Sequence, residues 1–245
     1  MNKRYIKYFF SVVIVGAFLC TSGFKYLSLK KSGKLTIYFE NIATNKKIYK
    51  DSIYQNPFGE IYSVSKLKYY ISNIKLNNFK EKKSYHLIDA FTKDSININL
   101  PTGNYNNIQF LVGVDSLMNC SGAQAGALDP LNDMFWTWNS GYVMFKMEGI
   151  SKNSNADNNR IEQHIGGYKG MYKTMREIKL SPITPIVITE NNNAAIIIQV
   201  DLDKYWDGIN KVKIAETPVN ATIGAAAKNA ADNFPAMFTI KSSLD

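Results

Sequence analysis

The feature that most constrains this chain is a series of short segments in which apolar residues recur at every second position. Ser95–Leu100 shows it cleanly, with Ile96, Ile98 and Leu100 alternating with Asn97 and Asn99. That period puts one set of side chains on each face of an extended strand, and here only one face can be core. Strand-like composition recurs in Leu35–Glu40, Ile61–Leu76, Tyr85–Ala90, Asn107–Val114, Arg160–Ile165, Lys173–Leu180, Pro185–Thr189, Ala194–Val200 and Phe238–Ile240. Gly, Pro and Asn clusters separate the segments, as turns require. The parity of Ile61–Leu76 changes near Ser72–Asn73, which predicts a β-bulge there. Helical character is confined to Ala-rich Thr222–Ala231 and a capped turn at Asp201–Trp206. The expected fold class is all-β: a single β-sandwich domain, Ig-like in general architecture, with long loops and one short C-terminal helix.

Lys3, Arg4 and Lys7 precede an apolar run, Phe9–Leu19. A basic stretch followed by about a dozen apolar residues reads as an export signal, too short for a bilayer span of about 20 residues. Residues 1–20 are therefore read as a signal peptide or lipoprotein signal, 21–33 as a tether and 34–245 as the folded domain. Cys20 stands where a lipoprotein would carry its acyl group, although Phe18 and Leu19 are bulky for that motif. The expected location is the periplasm, the outer membrane or the cell surface, with membrane contact only through a lipid at Cys20. Cys120 is the other cysteine. One mature cysteine builds no disulfide framework. The net charge of +9 is scattered, without a run of five basic residues, and reads as a solvated surface rather than a nucleic-acid stripe.

The aromatic centre of the chain is Met134–Gly149, which holds Trp136 and Trp138. On one unbroken strand Trp136, Trp138, Tyr142 and Met144 share a face, and Phe135, Val143, Phe145 and Met147 form the core face. A polar hinge, Asn139–Ser140–Gly141, interrupts it. Such a stripe also serves simply as core. His86 and His164 are the only histidines, each in a strand-like segment. Imidazole suits copper and thioether suits copper(I), so the pair is consistent with a copper(I) site, with Met144 a candidate accessory ligand. Hydrogen-bonded structural histidines are the competing reading. Asp129, Asn132 and Asp133 carry oxygens suited to calcium but lack a complete calcium loop. No serine-hydrolase elbow, CxxC, HExxH or P-loop is present. The chain reads as a binding protein, not an enzyme.

Several stretches together resemble the MbnP-type copper-binding domain of exported Bacteroidetes proteins. They are VSKLKYYISNI at 64–74, YHLID at 85–89, GVDS at 113–116, SGAQ at 121–124, GALDP at 126–130, MFWTWNSGY at 134–142 and HIGG at 164–167. The resemblance implies a β-sandwich that binds one copper(I) ion through two histidines, here His86 and His164. It also implies a MauG-like diheme c-type cytochrome peroxidase as partner, which oxidises a tryptophan, Trp138 or Trp136, to kynurenine. Tyr142 and Cys120 are accessory candidates at that site. The competing reading is a metal-free surface lipoprotein acting as an interaction or scaffold module.

Overall fold

The architecture is that of a computed structural model, which describes residues 31–82, 84–122, 124–137, 139–190 and 192–244. The signal, most of the tether, Cys20 and Trp138 lie outside the described residues. The principal strands are β1 (Ser32–Ala43), β2 (Lys66–Leu76), β3 (Tyr85–Asp89), β4 (Ser95–Pro101), β5 (Ile108–Val112), β6 (Phe135–Thr137), β7 (Gly141–Ile150), β8 (Arg160–Gly166), β9 (Arg176–Leu180), β10 (Asn193–Asp201) and β11 (Phe238–Leu244). The helices are α1 (Ser116–Asn119), α2 (Leu202–Trp206), α3 (Ala225–Asp232) and α4 (Phe234–Met237). Ser32 and Gly33, inside the stretch read as tether, already pair with Pro101 and Leu100.

Two sheets face each other. The smaller runs β11-β10-β1, with β4 on the other edge of β1. The larger runs β9-β5-β2-β7-β8, with β3 also on β2 and β6 on β7. The pairing of β1 with β10 is parallel, a departure from a purely antiparallel sandwich. On β4, Ile96, Ile98 and Leu100 are buried and Asn97 and Asn99 are exposed, as the alternation predicts. The expected bulge is present. Asn73 takes φ 55°, and the register on β5 jumps from Lys75↔Gln109 to Ser72↔Leu111.

The main core lies between the sheets. Phe39 meets Tyr69 and Phe110 edge-on. Phe145 stacks on Tyr69 at 6.2 Å and on Tyr205 at 5.0 Å, and it leans on Phe234 at 5.4 Å. Helix α2, capped by Asp201, buries Leu202, Tyr205 and Trp206 against one end of this core. Helix α2 is the capped turn expected at Asp201–Trp206 and α3 the expected C-terminal helix; among the described residues the short helices α1 and α4 join them.

A second apolar cluster sits on the opposite face of the larger sheet. It holds Tyr70, Val114, Leu128, Met134, Tyr142, Val143, Met144 and Tyr168. The segment between β5 and β6 covers it, through α1 and two 3₁₀ turns at Gly126–Leu128 and Pro130–Asn132. Strand β2 is consequently buried on both faces: Leu67, Tyr69 and Ile71 belong to the main core, Tyr70 to the second cluster.

Phe145 bridges three core elements, so Phe145→Ala is expected to destabilise the fold by about 3–5 kcal/mol. Urea unfolding checks this; a midpoint unchanged from wild type would be inconsistent with the stacking described.

Candidate functional site

The central aromatic stretch is a hairpin, not one strand. Strand β6 folds back on β7, pairing Phe135 with Tyr142 and Thr137 with Gly141. Gly141 sits at φ 74°, and a Cβ there would lie 2.3 Å from Asn119 Oδ1. The polar hinge is therefore a reverse turn that only glycine can complete. This corrects the expected division of faces. Phe145 and Met147 do enter the main core, but Phe135 and Val143 join Tyr142 and Met144 in the second cluster.

Trp136 lies partly exposed at the rim of that cluster. Its six-membered ring occupies the space over Gly166, where a Cβ would come within 2.6 Å of Cζ3. Gly166 is two residues beyond His164, so the two positions share a face of β8, about 7 Å apart along the strand. Trp136 and His164 are thus neighbours on the outer face of the larger sheet.

The outer face beside His164 is a network of ion pairs. His164 Nε2 lies 2.9 Å from Glu148 Oε1, and Nδ1 lies 3.4 Å from Glu162 Oε1. Lys66 joins Glu148 at 3.1 Å to Asp133 at 2.9 Å. Lys146, nearly fully buried, reaches Asp133 Oδ1 at 2.9 Å and also donates to the Asp133 carbonyl. Asp133 is the residue just before Met134 and the β6 hairpin. Burial opposes ionisation of its carboxyl, but hydrogen bonds from Lys66 and Lys146 outweigh that and pull it down to about 2. The same logic, led by the His164 contact, holds Glu148 at about 2.

His86 is elsewhere. Its Nε2 lies 2.9 Å and 3.1 Å from the two oxygens of Glu81. The register measures the separation. His164 pairs with Lys146, Lys146 with Lys68 and Lys68 with Asp89, which is three residues from His86 on β3. Three strand spacings amount to about 14 Å, before the offset along β3 is added. Three residues is also an odd step, so His86 points to the inner face, with Ile88, and His164 to the outer face. The expected convergence of the two imidazoles on one ion is not what the sheet builds.

The accessory candidates are similarly committed. Met144 is buried, and its sulfur accepts from the Val114 amide at 3.1 Å. Tyr142 is buried and donates to the Leu128 carbonyl at 2.7 Å. Cys120 is an exposed free thiol at the end of α1. Asp129 and Asn132 do not join Asp133 around a cation; Asp129 caps the 3₁₀ turn and Asn132 donates to Gly126 and Ala127. No group of three or more His, Cys, Asp or Glu among the described residues is arranged to hold a metal ion.

Comparison with known proteins places this geometry. A family model described as MbnP matches residues 32–223. The chain belongs to the MbnP family. Among solved structures, MbnP from Methylosinus trichosporium superposes with a TM-score of 0.56 at 12% identity, covering 88% of this chain and 100% of that one. At that identity the likeness is one of fold. No curated protein matches the chain.

Within the family domain, the two-histidine ligand set that the sequence resemblance implies does not fit the residues as they stand. Each imidazole is held by carboxylates, and the two face opposite ways. Sequence reasoning passed over Gly166, Lys146, Glu148 and the ion-pair role of Asp133. The HIGG motif carried the signal for Gly166, since a glycine within a strand marks a bulge or a close approach.

Two outcomes follow from this arrangement. In copper(I) titrations under reducing conditions, His86→Ala and His164→Ala should each keep the wild-type stoichiometry; parallel loss in both would show that the imidazoles meet. Asp133→Asn should lower stability near neutral pH. Because the folded carboxyl titrates below its ordinary value of 3.8, the wild-type advantage is full above that value and vanishes as pH falls through about 2. Thermal melts of both proteins across that range check the sign.

Proposed function

We propose that this MbnP-family protein is exported, takes part in copper handling, and works through Trp136 as an indole oxidised to kynurenine by a MauG-like diheme c-type cytochrome peroxidase. The observation that carries the reading is the seat of Trp136. Its ring is partly exposed, rests on a glycine floor, and belongs to a hairpin held by Asp133 to two lysines. An indole held in this way is both reachable and fixed. The copper role rests on family membership and the sequence resemblance, and no step of the reading runs through a histidine-bound ion.

The chemistry balances with peroxide as oxidant. Two hydrogen peroxide molecules are reduced to two waters as the C2–C3 bond of the indole breaks and gains two oxygen atoms, giving N-formylkynurenine. One water then releases formate and leaves kynurenine. The chain itself supplies orientation: Gly166 sets the ring plane against β8, and Tyr142 packs on Phe135 at 4.9 Å behind the hairpin.

The metal-free interaction module remains the second reading, favoured by the carboxylate pairing of both histidines. Treatment with the diheme peroxidase and peroxide, followed by peptide mapping, separates the two. The expected result is kynurenine at Trp136, with Gly166→Ala slowing its formation by displacing the ring. Trp136 recovered intact, with or without oxidation at Trp138, would remove Trp136 from this role.

A further inference from the structure

The second apolar cluster differs in chemistry from the main core. Tyr70, Tyr142, Tyr168, Met134 and Met144 are five of its eight buried members, and Tyr85 and Trp136 pack against them. The main core is mostly aliphatic. The layer behind Trp136 is thus built largely from side chains that can give up an electron. Its aromatic rings follow one another closely. The Trp136 ring and the Tyr142 carbonyl both border the space over Gly166. Tyr142 and Tyr70 meet edge-on at 5.6 Å. Tyr70 pairs with Leu87, two residues from Tyr85 on β3. Tyr70 and Tyr85 are therefore diagonal neighbours on the outer face, about 7–8 Å apart along the backbone and within reach of each other's rings.

Tyr85 differs from the rings before it. Its hydroxyl donates to Asp115 Oδ2 at 2.5 Å. Among the described residues no other tyrosine donates to a carboxylate: Tyr142 donates to a carbonyl, and the Tyr70 hydroxyl is unpartnered. Asp115 also accepts from the Met118 amide at 3.0 Å and from Asn73 Nδ2 at 3.3 Å. Burial opposes its ionisation, but the hydrogen bonds it accepts, that of Tyr85 first, outweigh this and hold the carboxyl below its ordinary range. Burial, reinforced by the Asp115 carboxylate, pushes the Tyr85 phenol up, so it keeps its proton until it loses an electron. The pair borders an open cleft of about 420 Å³. The charged groups across it, Lys75, Lys80 and Glu177, make no hydrogen bond to Tyr85 or Asp115 among the described residues.

From this arrangement we infer that Tyr85 is a redox-active tyrosine with Asp115 as its proton acceptor, the end point of an oxidising equivalent that enters at Trp136. The inference rests on the proposed function in one respect, the choice of Trp136 as the point of entry. The oxidant is a one-electron acceptor acting at the surface, a high-valent haem or an outer-sphere metal complex. It takes an electron from Trp136, which is refilled through Tyr142 and Tyr70 from Tyr85. The net change is one electron from Tyr85 to the oxidant and one proton from the Tyr85 hydroxyl to Asp115 Oδ2. A neutral tyrosyl radical is left beside a carboxylic acid. Tyr142 and Tyr70 pass the equivalent on because neither has a base to take its proton.

The test uses the full exported protein and ruthenium(III) tris-bipyridine, generated by a flash with a cobalt(III) ammine as quencher. Freeze-quench electron paramagnetic resonance reads the tyrosyl radical in wild type and in Tyr85→Phe, Asp115→Asn and Trp136→Phe. Tyr85→Phe should lose the signal. A positioned base is worth about 10²–10⁴-fold, so Asp115→Asn should slow radical formation by about 100-fold or more. Its rate should also rise with pH near neutrality, where the wild-type rate is flat, because a solvent base must then take the proton. Asparagine still caps α1, which preserves the fold of this variant. A slower rate in heavy water for wild type reads the same proton transfer without any substitution. Trp136→Phe should suppress the radical. An undiminished signal in Tyr85→Phe, equal rates in wild type and Asp115→Asn, no effect of heavy water, or an undiminished Tyr85 radical in Trp136→Phe each overturns the inference. Peptide mapping after the diheme peroxidase and peroxide reads the proposed function separately. A Tyr85 radical with Trp136 recovered intact upholds the inference and removes the proposed oxidation; kynurenine at Trp136 without a Tyr85 radical does the reverse.

Discussion

Strand β2 has no solvent face along its middle, and that burial dictates the rest of the larger sheet. Tyr69 and Ile71 look into the sandwich, while Tyr70 looks the other way and is just as buried. A sheet covered on both sides needs a second layer, and here the layer is the long connection between β5 and β6 rather than another sheet. The Tyr70 hydroxyl finds no hydrogen-bond partner among the described residues. Such an omission costs about 1–3 kcal/mol, so the packing around it must more than offset the loss.

Polar contacts at both ends clamp that layer down. At its start, Asp115 accepts from the Tyr85 hydroxyl and the Met118 amide, and Asn119 donates to the Val114 carbonyl and accepts from the Tyr142 amide. At its finish, Asp133 pairs with Lys66 and Lys146. The hairpin that presents Trp136 leaves directly from this second clamp. Ring position is therefore inherited from ion pairs and a glycine floor, not from the strength of the short β6 ladder. Lys146 is what makes the clamp stiff: a nearly buried ammonium stripped of its carboxylate would be strongly unfavourable.

Period-two patterning made the strands legible, and the change of parity at Ser72–Asn73 located the bulge, because both are local consequences of strand geometry. The hairpin at Asn139–Gly141 was half legible. Its turn residues were noticed, yet the reversal depends on Asn119, which reaches Tyr142 and leaves no room for a Cβ at Gly141. The site was less legible still. Whether His86 and His164 share a face depends on the register of four strands, and no single segment encodes that. Trp136 beside His164 follows from Gly166, a residue whose contribution is the absence of a side chain.

Two independent obstacles keep the histidines apart. The first is the face. A one-residue slip of β3 against β2 would turn His86 outward, but it would also expel Ile88 from the main core and drive Tyr85 and Leu87 into it. Expelling one such aliphatic side chain alone costs about 1.5–3 kcal/mol. The second is the width of the sheet. Even after a slip, β2 and β7 still lie between β3 and β8, and bonds from imidazole to a metal reach only about 2 Å on each side. A shared ion would thus require strand exchange, not side-chain rotation. Carboxylates already occupy both rings, Glu81 on one and Glu148 with Glu162 on the other. The sheet gives the two imidazoles separate structural partners, and what it offers the outside is the indole.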